Sequence, residues 1–399
     1  MSMKKEFFAS NRQTLLQKLR CDLIILSSNV AMQRSNDASF YFEQEANFWW
    51  LTGINEPGWW VVIQKNKTSL VAPDIDEVHR IFDGALSDTD AIAQSGVDEV
   101  LSYADGELLM ASLKEAGLSV AGLGKDPHEA HYDFTLNPGP VEMYTKLQSL
   151  FGTIKDCRKD VAQLRAIKQP EEIAAIREAI NLTIKGFEKI RSDIDTYEHE
   201  YEIEADFTYH FRKSGAPGHA YDPIVAAGEN AVTLHYGKNQ DKLVPGQFVL
   251  MDIGARVDNY AADISRTYAY GEITDRQRAV HSAVEKAHKE IISLLKPGYS
   301  VKDYHEAVDE IMKDALSGLG LLNSPSDYRK YFPHSVSHGL GIDVHDSLGG
   351  PAAFQSGMVL TVEPGIYIPE EGIGVRIEDD ILITETGNEN LSAALPTSM

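Results

Sequence analysis

FVLMDIGARVDNYAADISRT, residues 248–267, reads as two strands joined by a turn. Phe248 to Gly254 is apolar and suits a pleated, half-buried surface; Asp258-Asn259 supplies turn chemistry; Ala261 to Tyr270 extends again. Each strand carries one aspartate, Asp252 and Asp263. A tight antiparallel hairpin centred near Val257-Asp258 sets the two opposite, or nearly so, where Cβ atoms lie roughly 4.5–5.5 Å apart. Two carboxylates that close, among Leu250, Ile253 and Ile264, repel each other and lose solvation. A cation between them removes both problems. Taken alone, the stretch leaves open that one aspartate serves the turn and the other a cap. Further ligands must come from elsewhere in the chain.

At 399 residues the chain is long for one core, and two domains are expected. A net charge of −23 excludes a nucleic-acid partner, which needs a basic footprint. Two cysteines, Cys21 and Cys157, make no disulfide framework and fit a reducing cytosol, so a cytoplasmic protein is expected. The start, MSMKKEFFASNRQTLLQKLR, shows no secretory signal, and no apolar run approaches the roughly 20 residues that span a bilayer, so no membrane partner is expected.

The first part alternates strands with helices. Strands are expected at Asp22–Leu26, Trp59–Ile63, Ser69–Ala72 and Val120–Leu123, and helices at Lys4–Leu19, Thr89–Gln94, Glu107–Ala116 and Gly139–Leu150. That pattern is an α/β domain over residues 1–157. The segment Asn47–Pro57, NFWWLTGINEP, is rich in aromatics that read as core; alternatively it overhangs an active site or a subunit contact. Asp156 to Gln169 is charged and carries no clear strand, whereas Pro170-Glu171-Glu172 starts a helix well. A second domain is expected over residues 165–399.

In that domain Glu198–Lys213, Thr274–Leu295 and Val301–Leu316 read as helices. His235 lies in Thr233–Tyr236, where a lone histidine among apolar residues reads first as core. His334, His338 and His345 fall in one glycine-bearing loop and strand, and imidazole is the usual nitrogen ligand and general acid or base. Glu363 ends an apolar strand. Gly374–Thr384 reads as one strand, with Val375, Ile377, Ile381 and Ile383 on one face and Arg376, Glu378 and Asp380 on the other. Collected, Asp252, Asp263, His338, Glu363 and Glu378 are oxygen-rich donors with a single nitrogen. They suit two harder divalent ions, such as manganese, cobalt, iron or zinc. Neither cysteine lies near them in sequence, which excludes a thiolate site. Two metals about 3.5–4 Å apart activate a shared water for hydrolysis of an amide.

The order Met-Asp-Ile-Gly (251–254), Ala-Asp-Ile-Ser-Arg-Thr (262–267), Ser-His-Gly-Leu-Gly (337–341), Val-Glu-Pro-Gly (362–365) and Arg-Ile-Glu-Asp-Asp (376–380) resembles the pita-bread metallopeptidases, the superfamily of methionine aminopeptidase, aminopeptidase P, prolidase and creatinase. The resemblance to aminopeptidase P covers nearly the whole chain. It includes NFWWLTGINEP (47–57), LRAIKQPEE (164–172), Gly228-Glu229-Asn230, Leu234-His235-Tyr236 and the ending ITETGNENL (383–391). It implies an aminopeptidase P-type N-terminal domain and an α+β pita-bread catalytic domain. It further implies that Asp252 binds one metal through both oxygens, that Asp263 and Glu378 bridge the pair, and that His338 and Glu363 complete the second metal, with Glu363 also placed to take a proton from the bridging water. His235 would lie near the substrate, and His345 would steady the peptide group and the tetrahedral intermediate. His334 and Arg376 would line the proline subsite or support the ligands, with Tyr367 close by. The implied activity removes the N-terminal residue from a peptide with proline second, in a homodimer or homotetramer.

Two alternatives remain. Prolidase shares the site and takes only Xaa-Pro dipeptides; the N-terminal tract favours aminopeptidase P. A pita-bread module can instead bind peptides without catalysis, once its ligands are lost. Retention of all five argues against that, and against a metal-free creatinase-like amidinohydrolase.

Overall fold

The computed structural model describes residues 3–127, 135–324 and 326–399. They form two compact units, residues 2–164 and 165–399.

The first unit is built on β1 (Leu23–Ser27), whose five residues are all buried, as a strand covered on both faces must be. It pairs antiparallel with β2 (Trp60–Gln64) and parallel with β5 (Val120–Gly122). With β3 (Thr68–Val71), β4 (Glu99–Leu101) and β6 (Lys155–Asp156) they make a six-stranded mixed sheet in the order β4-β3-β2-β1-β5-β6. Helices α1 (Lys5–Leu19), α3 (Tyr103–Glu115) and α4 (Pro138–Phe151) alternate with the strands, as expected. The aromatic segment forms α2 (Ala46–Thr52), capped by Glu45, which accepts from the Phe48 N–H, and ended by Gly53 in the left-handed region. Trp49, Trp50, Trp59 and Trp60 are all buried, so these aromatics are core. The charged tract expected to carry no clear strand holds only the end of β6 and then a helix over Arg158–Arg165. The Asp156 carboxylate accepts from the Arg158 N–H, and Val161 buries an apolar face.

In the second unit α5 (Pro170–Asp193) begins with proline at its first position and a capping box in which Glu172 accepts from the Gln169 N–H. It packs on α6 (Glu200–Lys213), while α7 (Asp275–Leu294) packs on α8 (Val301–Gly318). Two antiparallel trios carry the site, β7 (Ile224–Ala227), β8 (Gln247–Ile253) and β11 (Ile264–Tyr270), and β12 (Val359–Val362), β15 (Asp379–Ile383) and β16 (Asn388–Asn390); a third joins the two arms of the hairpin tip to the short strand Gly218–His219. β13 (Gly365–Ile368) pairs with β14 (Ile373–Arg376).

The hairpin exists, with its centre moved by one residue. β9 (Ala255–Val257) pairs with β10 (Tyr260–Ala261), Val257 opposite Tyr260. Asp258 and Asn259 form the two-residue turn, both with positive φ (47° and 64°), the geometry whose twist matches two paired strands. Asp252 therefore faces Ser265, and Ile253 faces Ile264. Asp263 lies two residues nearer the turn than Ser265, on the same face, so the aspartates are diagonal rather than opposite. The ladder opens at Gly254, where a Cβ would stand 1.8 Å from the Ala262 carbonyl oxygen.

The single strand expected over 374–384 is two, β14 and β15, parted at Ile377 and Glu378. Arg376, Glu378 and Asp380 are buried, so the face that carries them looks inward.

Candidate metal centre

β8 and β11 place Asp252 and Asp263, and the break between β14 and β15 places Glu378. The Glu378 N–H donates to the Ser265 carbonyl (3.1 Å), and the Glu378 carboxylate accepts from the Ser265 hydroxyl (2.7 Å). The two sheets are thereby joined at the ligand positions. His338 belongs to no regular strand. The stretch 336–340 nevertheless runs beside β12: Leu340 N–H donates to Val359, Thr361 N–H to His338, and Glu363 N–H to Val336. His338 and Glu363 thus enter from adjacent extended segments.

Among the described residues, Asp263, His338 and Glu378 each offer a ligand atom, and these atoms lie within 4.8 Å of one another. Glu363 is close by, its Oε1 3.7 Å from His338 Nε2, which is 3.4 Å from Asp263 Oδ2. Asp252 joins through Tyr221, whose hydroxyl lies 2.6 Å from both Asp252 Oδ1 and Asp263 Oδ1. The five carboxylate and imidazole groups picked from the sequence therefore form one connected cluster.

The cluster is short of positive charge. Burial, then the neighbouring Asp252 carboxylate, pushes the Asp263 carboxyl up. Burial and then Asp263 push Glu378 well up, and Glu363 rises to about 8, mainly through burial. One Tyr221 O–H proton serves one of two aspartates at 2.6 Å, so a second proton or a cation is needed between them. His338 opposes its own burial and rises to about 9 beside Asp263 and Glu363. Its Nδ1–H donates to the Gly339 carbonyl (3.0 Å), which turns Nε2 toward the carboxylates. That is how a metal-ligating histidine is oriented, and the donor set fits divalent ions.

Arg376 lies fully within this cluster rather than at its rim. Its guanidinium donates to Asp252 Oδ2 (2.6 Å), to the Tyr367 hydroxyl (2.9 Å) and to the Ser265 hydroxyl (2.8 Å). His334 Nδ1–H donates to the Ser335 carbonyl (2.7 Å), so its Nε2 accepts from the Tyr367 hydroxyl (3.0 Å). Burial holds His334 down to about 4, and therefore neutral. His345 stands edge-on to His338, with centroids 4.4 Å apart. Desolvation and then the imidazoles of His338 and His235 hold it down to about 4, although part of its surface is open to solvent. His235 is exposed, not core, and sits in a turn close enough to His334 and His345 to affect their charge.

Tyr221 and Ser265 were not expected in the site, and Asp380 was expected only as a neighbour of Arg376 and Glu378 on the charged face. Asp380 is fully buried and accepts from the Asp263 N–H (3.1 Å). Ser265 and Asp380 lie two positions beyond Asp263 and Glu378, so the strand period alone points to them. Tyr221 follows the short strand Gly218–His219, and nothing in its surroundings in sequence marks it.

Known proteins share this two-domain fold. Residues 174–385 match the model of metallopeptidase family M24, and residues 8–119 match the aminopeptidase P N-terminal domain. The Xaa-Pro aminopeptidase of Haemophilus influenzae is 34% identical, over 98% of this chain and 95% of its own length. A Bacillus anthracis structure of the aminopeptidase P type superposes with a TM-score of 0.90 at 32% identity, covering 99% of this chain and 96% of that one. Aminopeptidase P from Escherichia coli, solved with the inhibitor Pro-Leu, gives 0.86 at 30% identity, over 100% of this chain and 97% of that one.

Proposed function

The chain belongs to metallopeptidase family M24 and is a metallo-exopeptidase, and from that premise we propose that it cleaves the Xaa-Pro bond of peptides with proline in second position, using two divalent ions. The observation that carries this reading is the convergence of Asp263, His338 and Glu378 to within 4.8 Å, with Glu363 and Asp252 on the same cluster. In this reading Asp252 would hold one ion, His338 and Glu363 the other, and Asp263 and Glu378 would serve both. When bound, the ions supply a polarised substrate carbonyl and a water of lowered pKa.

The remaining chemistry falls to the chain itself. Glu363, beside His338, takes the proton of the attacking water and returns it to the leaving proline nitrogen. His345, neutral at physiological pH, donates from its ring N–H toward the substrate carbonyl without adding charge to a crowded site. Arg376 holds Asp252 in its orientation through the hydrogen bond to Oδ2. His334 and Tyr367, joined by their hydrogen bond, line the space for the proline ring, and His235 closes over the peptide from its exposed turn. An Xaa-Pro amide has no N–H, and none of these groups needs one. The likeness to a structure holding Pro-Leu supports a proline-containing ligand here. The same reading assigns manganese, with cobalt, zinc or iron as alternatives, a homodimer or homotetramer, and a cytoplasmic enzyme; among the described residues no helix is long and apolar enough to cross a membrane.

The test is peptide hydrolysis by metal-reconstituted protein, with products read by mass spectrometry. Arg-Pro-Pro should release arginine, and the same peptide with alanine second should not react. Cleavage confined to Gly-Pro would make the enzyme a prolidase. A folded protein that retains no divalent ion and cleaves neither would favour the peptide-binding role.

A further inference from the structure

Glu200 is a fully buried carboxylate at the first position of α6. Four donors converge on it. Oε1 accepts from the Ala227 N–H (2.7 Å) and the Asn230 side-chain amide (2.9 Å). Oε2 accepts from the Asp241 N–H (2.9 Å) and the Tyr236 hydroxyl (3.0 Å). All four come from the segment 227–241, which leaves the end of β7, crosses the turn that bears His235, and returns. The backbone adds to the clamp: the Glu200 N–H donates to the Asp241 carbonyl (3.0 Å), and the Leu243 N–H to the Glu198 carbonyl (2.8 Å). Asn239, itself buried, fixes the returning limb to Val225, Pro223 and Glu204.

His235 stands in the middle of this segment with its ring exposed. Its placement therefore depends on the backbone that carries it, and the adjacent Tyr236 is one of the four donors. The arrangement demands a carboxylate. A carboxylate has about four acceptor sites, and the positive end of α6 favours its charge. Glutamine would turn an NH₂ toward two of the donors, and alanine would take this acceptor from all four, the buried Ala227 N–H among them, leaving Asn230 only its bond to Asp241 Oδ2 (2.8 Å).

We infer that Glu200 is a positioning residue for His235, locking both limbs of the 227–241 segment so that the imidazole is presented to substrate. The role of His235 toward substrate rests on the proposed function; the lock on the segment does not. Glu200 lies outside the metal cluster, so its loss should leave metal binding intact.

The experiment compares Glu200→Gln, Glu200→Ala, His235→Ala and the double variant Glu200→Gln/His235→Ala in the metal-reconstituted full chain. Glu200→Gln should bind metal stoichiometrically, as the unaltered protein does. It should lose kcat/KM on the order of 10- to 100-fold, the penalty of a misplaced group, with the loss split between kcat and KM as it is in His235→Ala. The double variant should be no worse than His235→Ala, because both changes act on one imidazole. Multiplying losses, an unaltered kcat/KM, or loss of metal in Glu200→Gln would each overturn the inference. Limited trypsin digestion gives a readout independent of turnover. Exposed Lys238 lies in the segment, and cleavage after it should accelerate in Glu200→Gln while the rest of the chain resists. Unchanged cleavage at Lys238 would also overturn the inference, and Glu200→Gln serves for this comparison should Glu200→Ala fail to fold. A protein inactive on proline peptides would defeat the functional reading and leave this digestion result standing.

Discussion

Asp252 and Asp263 each stand 2.6 Å from the Tyr221 hydroxyl, with Arg376 on the far side of Asp252. Carboxylates so placed are costly without a cation, which is the physical content of the metal reading. Asp263→Ala should abolish turnover while the circular dichroism and melting profile stay close to those of the unaltered protein; near-normal rates would remove Asp263 from the centre. The pH behaviour of the metal-free protein follows from the same groups. Glu363 is raised from 4.5 to about 8 and His338 from 6.5 to about 9, so both bind more protons folded than unfolded in those windows. Asp263 and Glu378 shift in the same direction. Stability contributed by these protons is complete below the unfolded pKa values and lost as pH rises through the folded ones. The melting temperature of chelator-treated protein should therefore fall between about pH 5 and about pH 9, and saturating manganese should flatten that slope by replacing the protons. A metal-free melting temperature that rises across the window would contradict the charge deficit.

The hairpin shows how one element aims two ligands. Its register is set by Asp258 and Asn259, whose left-handed backbone closes a two-residue turn and draws the pairing one residue beyond the centre expected from the aspartates themselves. Its break is set by Gly254, which has no room for a side chain beside the Ala262 carbonyl. Gly254→Ala should destabilise the protein by about 3 kcal/mol, the top of the overpacking range. It should also weaken metal binding, since the displaced backbone carries Asp252 and Asp263; denaturant titration and metal analysis read the two effects. Strand and helix identities were mostly legible, because period and caps are local: Pro170 with Glu172 and Thr274 with Gln277 both start helices where their chemistry says they should. The strand expected over 374–384 was misjudged because its alternation continues through Glu378, while the pairing partner changes there from β13 to β12.

At the scale of the whole second unit, Arg266 ties distant segments to the break between β14 and β15 that carries Glu378. Buried beyond solvent, it donates to the Ser265 and Glu378 carbonyls, pairs with Asp379 at 2.7 Å, and reaches the carbonyls of Leu395 and Pro396. Arg266→Leu removes one partner of a buried pair and should cost about 3–5 kcal/mol by chemical denaturation. A cost within about 0.5 kcal/mol, typical of a surface change, would show that the pair is not structural. The fold class, the α/β and α+β character of the two units and the five candidate ligands were present in the amino-acid order, because strand period, helix caps and ligand chemistry are properties of short stretches. The tertiary structure alone decided that Tyr221 stands between two aspartates, that Arg376 faces inward, and that Glu200 holds the turn of His235. Each of those depends on contacts between segments far apart in the chain, set by packing and buried hydrogen bonds that no local pattern encodes.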